Sequence, residues 1–182
     1  MTKHQEVIVA GMGGQGVMRM GQLLAHAALI EGMNVVWFPA YGPETRGGTA
    51  NCTVILSTEE IGSPVTSSPD ALIALNQIML DKFVDSVKRE GLVVVNTCLA
   101  QPPETRSDCK IAGVPANDIA AELGNPIVVN MVMLGAYVQL ARPVKLDSVK
   151  ASMETVLPPR LHGFIPINNQ ALDRGAEMLA LV

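Results

Sequence analysis

The chain has 182 residues, 48% of them hydrophobic, 16% charged and 3% aromatic, and a formal net charge of −4. That apolar content is ample for a single buried core, and so little charge leaves apolar surface for a partner to cover. An acidic balance without any basic run, together with so few aromatic residues, argues against a nucleic-acid-binding protein.

The first six residues, Met1 to Glu6, contain no hydrophobic signal core, so the expected setting is soluble and cytoplasmic. Val7 to Ala10 reads as a short apolar strand and runs into Gly11-Met-Gly-Gly-Gln-Gly16. Val17 to Glu31 then has the spacing of an amphipathic helix. A G-x-G-x-x-G turn made by Gly11, Gly13 and Gly16 gains meaning from that strand-to-helix context. Its glycines allow close backbone approach, and the helix N-terminus offers free N–H groups to an anion. A tight strand-to-helix corner without a ligand is the alternative.

Gly32 is placed to end the helix, and Asn34 to Phe38 reads as the second strand. A dinucleotide-binding Rossmann unit would carry an acid near the end of that strand to hold the ribose. Here the strand ends in Phe38-Pro-Ala-Tyr41, and Glu31 lies before the glycine stop, so NAD and FAD are disfavoured. Tyr41-Gly-Pro-Glu-Thr-Arg-Gly-Gly48 packs three glycines, a proline and one charge of each sign between two strands. Glu44 and Arg46 are too close in sequence to share a helix face, so they meet different things. The loop is either a surface connection with a local ion pair or a segment presented to a ligand or another subunit.

Thr49 to Leu56 is β-branched and alternating, a strand suited to pair with the second one. After turns at 59–64 and 67–70, Ala71 to Leu75 is a continuous apolar run typical of a buried parallel strand. Ile78, Leu80, Phe83, Val84 and Val87 have helical spacing, with Gly91 as the expected cap. Leu92 to Asn96 is another buried strand, 101–108 a loop, and Ile111 to Val114 a short strand. A small helix is expected from Asn117 to Leu123, stopped by Gly124. The final third is helical. Ile127 to Ala141 is nearly uncharged, and as a helix it spans roughly 22 Å, short of a bilayer. Leu146 to Val156 suits an amphipathic helix before Pro158-Pro159, and Asn168 to Leu181 a last one. Asn130 stands out in its apolar helix because a buried amide needs partners. The expected fold is α/β: a Rossmann-like three-layer arrangement with a mostly parallel sheet and a helical C-terminal third, in one domain over 1–182.

Cys52, Cys98 and Cys109 form no C-x-x-C pair, and the three histidines have no paired spacing. No metal site made by this chain alone is expected. No G-x-S-x-G elbow, H-E-x-x-H or P-loop lysine is present. Asp70, Asp81, Asp85 and Glu122 are scattered, so no catalytic residue is assigned.

The glycine turn, the Tyr41–Gly48 loop and Pro69-Asp70 before an apolar strand together resemble the gamma subunit of 2-oxoacid:ferredoxin oxidoreductases. The likeness continues through Asn130-Met-Val-Met-Leu-Gly135 and Asn169-Gln-Ala-Leu172, covering nearly the whole chain. The continuation Thr49-Ala-Asn-Cys52 looks more like 2-oxoglutarate or branched-chain members than pyruvate ones. The resemblance implies a multi-subunit enzyme that oxidatively decarboxylates a 2-oxoacid to an acyl-CoA and CO2 with reduction of ferredoxin. Thiamine diphosphate, magnesium and iron–sulfur clusters would lie on partner subunits, and this chain alone would be inactive. For this chain it implies support of coenzyme A binding and assembly. Gly11, Gly13, Gly14, Gln15 and Gly16 would face a CoA phosphate, with Tyr41, Glu44 and Arg46 at the interface or CoA channel. Other readings are an indolepyruvate oxidoreductase subunit, a free-standing nucleotide-binding protein, and a structural subunit with a relic glycine loop.

Overall fold

The computed structural model describes residues 3–42 and 48–180. Its order is β1 (His4–Met12), α1 (Val17–Ile30), β2 (Asn34–Tyr41), β3 (Thr49–Ser57), β4 (Ala71–Ala74), α2 (Gln77–Phe83), β5 (Leu92–Asn96) and β6 (Lys110–Val114). Helices α3 (Ala116–Glu122), α4 (Val129–Ala141), α5 (Leu146–Val156) and α6 (Ile165–Ala180) complete it. The strands form one sheet in the order β2-β3-β1-β4-β5-β6. The β1–β4, β4–β5 and β5–β6 pairs are parallel, whereas β3 runs antiparallel to both β1 and β2.

Strand alternation explains the layers. Val7 and Val9 of β1, Ile73 of β4 and Val94 of β5 share one core with α1, α4, α5 and α6. Their neighbours Ile8, Ala10, Leu72, Val93 and Val95 face the opposite side, where Met79 and Leu80 of α2 cover them. Sheet residues buried on both faces are what β-branched, uninterrupted strands are suited to. This is the three-layer α/β arrangement expected, with the helical final third thickening one side.

Helix α4 is buried almost all round, from Met131 through Val138. Such a helix must be enclosed, and α6 encloses it closely. A Cβ added at Gly135 would lie 2.0 Å from the Leu172 carbonyl oxygen, and one at Gly175 would lie 2.0 Å from that of Val132. The two glycines are therefore a reciprocal contact of helix backbones.

Two local expectations need correction. The helix after β4 ends at Phe83, and a 3₁₀ turn follows over Val84–Ser86, so Gly91 does not cap it. The left-handed residue is Glu90, with φ 62°. Gly91 instead leaves room for the Lys88 and Asp70 carbonyls, which would stand 2.7 and 2.9 Å from a Cβ there. Helix α6 begins at Ile165 rather than Asn168, because Pro166 sits in the first turn, where no N–H is required.

At the amino end of the sheet, Asp70 ties three strands' worth of chain together. Its Oδ2 accepts the Glu6 backbone N–H at 2.8 Å and its Oδ1 accepts from Lys88 at 2.8 Å. Burial pulls the Glu6 carboxyl up, but hydrogen bonds from Thr66 and His4 and the Lys88 ammonium outweigh it, so Glu6 sits below its ordinary value. A depressed carboxylate stabilises the fold above its unfolded pKa and loses that contribution as pH falls through the folded one. Thermal melts from pH 7 down to 3 should therefore show a shallower acid limb for Glu6→Gln than for the parent. Identical limbs would remove Glu6 from the acid-sensitive set.

Candidate functional site

Strand β1 is where the chain's crossovers diverge: α1 leads to the antiparallel side, while β4 to β6 extend the other. Ligands of open α/β sheets bind outside the carboxyl ends of the strands at such a switch point. The glycine turn stands there, directly after β1. Gly14 and Gly16 have φ of 95° and 80°, which L side chains rarely adopt. Gln15 N–H donates to the Met12 carbonyl at 3.1 Å, closing the turn. Helix α1 then starts on Gly16 with neither a side-chain cap nor an acid in its first turn. Its leading N–H groups and dipole are thus open to an anion.

The two glycine-rich stretches of the sequence meet at this point. The antiparallel register of β1 with β3 sets Met12 opposite Thr49, and Gly13 N–H donates to the Gly48 carbonyl at 2.8 Å. The far end of the Tyr41–Gly48 loop is therefore bonded to the turn. Tyr41 ends the edge strand β2 and is exposed. Glu44 and Arg46 lie outside the described residues.

Gln15 reaches back over the turn. Its Oε1 accepts the Met12 N–H at 2.7 Å and the Asn76 Nδ2 at 3.1 Å. Asn76 follows β4, and its own Oδ1 caps α2 by accepting the Met79 N–H at 3.0 Å. Gly11 is a glycine for the same reason, since a Cβ would stand 2.8 Å from Gln15 Oε1. Further along the strand ends, Asn96 donates to Asn117 at 2.8 Å. Side-chain amides thus line the carboxyl ends of the sheet from β1 to α3.

Beside the turn opens a pocket of about 270 Å³. Gly14, Gln15 and Gly16 form one wall, α4 supplies Asn130 and Met131, and Met153, Leu157, Phe164 and Asn168 come from the final third. Asn130 packs on the turn: a Cβ at Gly16 would lie 2.2 Å from its Nδ2. Arg19, one turn into α1, also lines the pocket and donates to the Val156 carbonyl at 3.0 Å. Among the described residues no carboxylate pairs with Arg19, and four of its five N–H donors remain. An apolar cavity with backbone N–H groups, amides and an unpaired guanidinium suits an anionic ligand with an apolar arm.

Of the turn residues proposed from sequence, Gly14, Gln15 and Gly16 line this pocket, Gly13 is exposed beside it, and Gly11 is buried beneath Gln15. Arg19, Asn76 and Asn168 were not singled out. Asn76 was discoverable, because it is the polar residue after the strand next to β1. Three of the four acids considered as catalysts are engaged elsewhere, and the fourth, Asp85, lies on the 3₁₀ turn after α2. Asp70 braces the amino end of the sheet, Asp81 accepts from Gln77 at 2.7 Å, and Glu122 pairs with Arg174 at 2.8 Å. Burial pushes the Cys52 thiol up to about 12, marking it as core rather than nucleophile. A broader groove of about 680 Å³ lies at the amino end, lined in part by His4, Asp70 and Lys88. Lys88 is spent on ion pairs with Asp70 and Glu6, and His4 on a hydrogen bond with Glu6. Among the described residues no cluster of His, Cys, Asp or Glu is arranged to hold a metal, and no helix is long and apolar enough to cross a membrane.

Residues 6–178 match the family described as pyruvate ferredoxin/flavodoxin oxidoreductase. The chain belongs to this family. Ketoisovalerate oxidoreductase subunit VorA of Methanothermobacter marburgensis is 46% identical over 176 residues, covering 96% of this chain and 36% of that relative. The 2-oxoglutarate synthase subunit KorC of Methanothermobacter thermautotrophicus is 34% identical over 183 residues, covering 97% of this chain and 95% of its own. The crystal structure of a keto/oxoacid ferredoxin oxidoreductase gamma subunit from Geobacter sulfurreducens superposes with a TM-score of 0.82 at 30% identity, covering 98% of this chain and 99% of that one. The chain thus spans about a third of the VorA relatives (36% and 35%) but nearly all of the separate KorC subunit. The family likeness drawn from the two glycine motifs is borne out by these matches.

Proposed function

We propose that this chain is the gamma-type part of a cytoplasmic, multi-subunit 2-oxoacid:ferredoxin oxidoreductase and that it acts as one domain. The reaction converts a 2-oxoacid and coenzyme A to acyl-CoA and CO2, passing two electrons to ferredoxin. Thiamine diphosphate with magnesium would stabilise the carbanion left by decarboxylation, and clusters would carry the electrons; both belong to partner chains on this reading. The chain's own task is to hold coenzyme A. Its pyrophosphate would face the turn of Gly13 to Gly16 and Arg19, and Tyr41, Glu44 and Arg46 would serve the subunit interface or the CoA channel. The observation that carries this is a helix start at the switch point with no side-chain cap among the described residues, opening on a partly apolar pocket with an arginine that no described carboxylate pairs. The higher identity to ketoisovalerate subunits than to 2-oxoglutarate ones favours a branched-chain 2-oxoacid.

The test is an anaerobic pull-down of the tagged chain from its native cell, assayed for CoA-dependent viologen reduction with a panel of 2-oxoacids. Co-elution of thiamine- and cluster-bearing chains, with 2-ketoisovalerate the best substrate, is the expected result. A chain that elutes alone and inert overturns the subunit reading, and a preference for aryl pyruvates would reassign it to the indolepyruvate enzymes.

A change of charge at the turn tests the CoA role directly. A side chain at Gly14 meets nothing within 4 Å, so Gly14→Asp and Gly14→Asn share the same strain and differ in charge. The aspartate should raise the KM for CoA about tenfold over the asparagine, the worth of a charge-assisted contact. Equal KM values would mean that no phosphate lies there.

A further inference from the structure

Resting on the reading that CoA occupies the glycine turn, we infer that Asn76 is a positioning residue that fixes the Gln15 side chain as a hydrogen-bond donor to the ligand. Asn76 is contributed by the other branch of the sheet, beyond β4, and acts through Gln15.

An amide can present either its oxygen or its nitrogen, and the neighbours decide which. At Gln15 two donors converge on one atom, the Met12 N–H at 2.7 Å and Asn76 Nδ2 at 3.1 Å. A reversed amide would set its NH2 against both of them. Oε1 is therefore held inward, over Gly11, where a Cβ would come within 2.8 Å of it. Nε2 is left without an intrachain partner among the described residues, on a side chain that lines the pocket. Asn76 cannot itself rotate, because its Oδ1 is the cap of α2, accepting from Met79 at 3.0 Å. The order of command runs from the α2 N-terminus through Asn76 to Gln15, ending in a donor on a side chain that lines the pocket together with Gly16 at the start of α1. A ligand offering acceptor oxygens is favoured; one offering a donor at that place meets a like group. A glutamate at position 15 could keep both inward bonds while turning a negative oxygen toward the pocket. The residue type is thus set by what faces the ligand rather than by what folds the turn.

Four variants of the assembled enzyme separate this from a capping role. Gln15→Glu preserves both inward bonds. Asn76→Ser and Asn76→Asp preserve the cap of α2 but remove the amide N–H that reaches Gln15. Gly14→Asp reports on CoA at the turn independently. The expected result is a KM for CoA raised about tenfold in Gln15→Glu, and several-fold in both Asn76 variants, with kcat within about twofold. Melting temperatures of the Asn76 variants should stay close to the parent. An unchanged KM in Gln15→Glu and the Asn76 variants, with a raised KM in Gly14→Asp, overturns the inference and leaves the CoA reading standing. An unchanged KM in all four overturns both. Asn76 variants that melt lower with an unaltered KM would show a cap and nothing more.

Discussion

Alanine at Gly135 or Gly175 is expected to lower stability by about 3 kcal/mol or more. Either Cβ would be built 2.0 Å from a backbone carbonyl oxygen of the facing helix, Leu172 in one case and Val132 in the other. A clashing side chain could rotate away, but a carbonyl inside a helix cannot move without moving the helix. Helices α4 and α6 would have to separate, opening a contact that extends from Val132 to the buried Ala171 and Leu172. For a chain of this size the loss corresponds to a fall of about 10 °C in melting temperature. Gly62→Ala is the control, since its Cβ meets nothing within 4 Å and its φ is ordinary. It should stay within about 0.5 kcal/mol of the parent. Urea titration measures all three, and hydrogen exchange should place the loosened amides of the Gly135 variant in α6. Parent-like stability for Gly135→Ala would mean that α4 and α6 are not in backbone contact.

Alanine at Gly16 is expected to act on both stability and binding. The left-handed backbone there, φ 80°, costs an L-residue about 1–2 kcal/mol. Its Cβ would also stand 2.2 Å from Asn130 Nδ2, so Asn130 must leave the mouth of the pocket. We expect the KM for CoA to rise about tenfold. The clash and the strain separate in a double-mutant cycle. With Asn130→Ala the clash disappears, so Gly16→Ala should destabilise that background less than it does the parent. Equal effects in the two backgrounds would show that Asn130 does not press on the turn.

Most of the architecture was readable from local patterns. The Val7–Ala10 run, the turn and the helix beginning at Val17 form one consecutive unit whose periodicity switches from strand to helix. Gly32 and Gly124 were correctly placed as stops because each takes a positive φ, 76° and 73°. Gly91 misled because a glycine can be required by a close neighbour as well as by its own φ: Lys88 is its partner in a local turn, and Asp70 becomes its neighbour only in the folded sheet. The site was half legible. Its anion-facing wall is contiguous in sequence, whereas Arg19, Asn76 and Asn168 acquire their roles only through the sheet order and the packing of the last helices. Asn130 stood out as polar in an apolar helix, yet nothing local to it indicates that it rests on Gly16.

The pocket's walls are far apart in the sequence, Gly14 to Gly16 on one side and Leu157 to Asn168 on the other. During synthesis the glycine turn leaves the ribosome long before its opposing wall exists. A chain made only as far as α4 therefore lacks the wall that Met153 to Asn168 supply. Once α6 docks, a ligand held there would clamp these two segments together and resist their separation in proportion to the logarithm of its concentration. Occupancy of the pocket would thus report that the fold is closed from the glycine turn to Asn168.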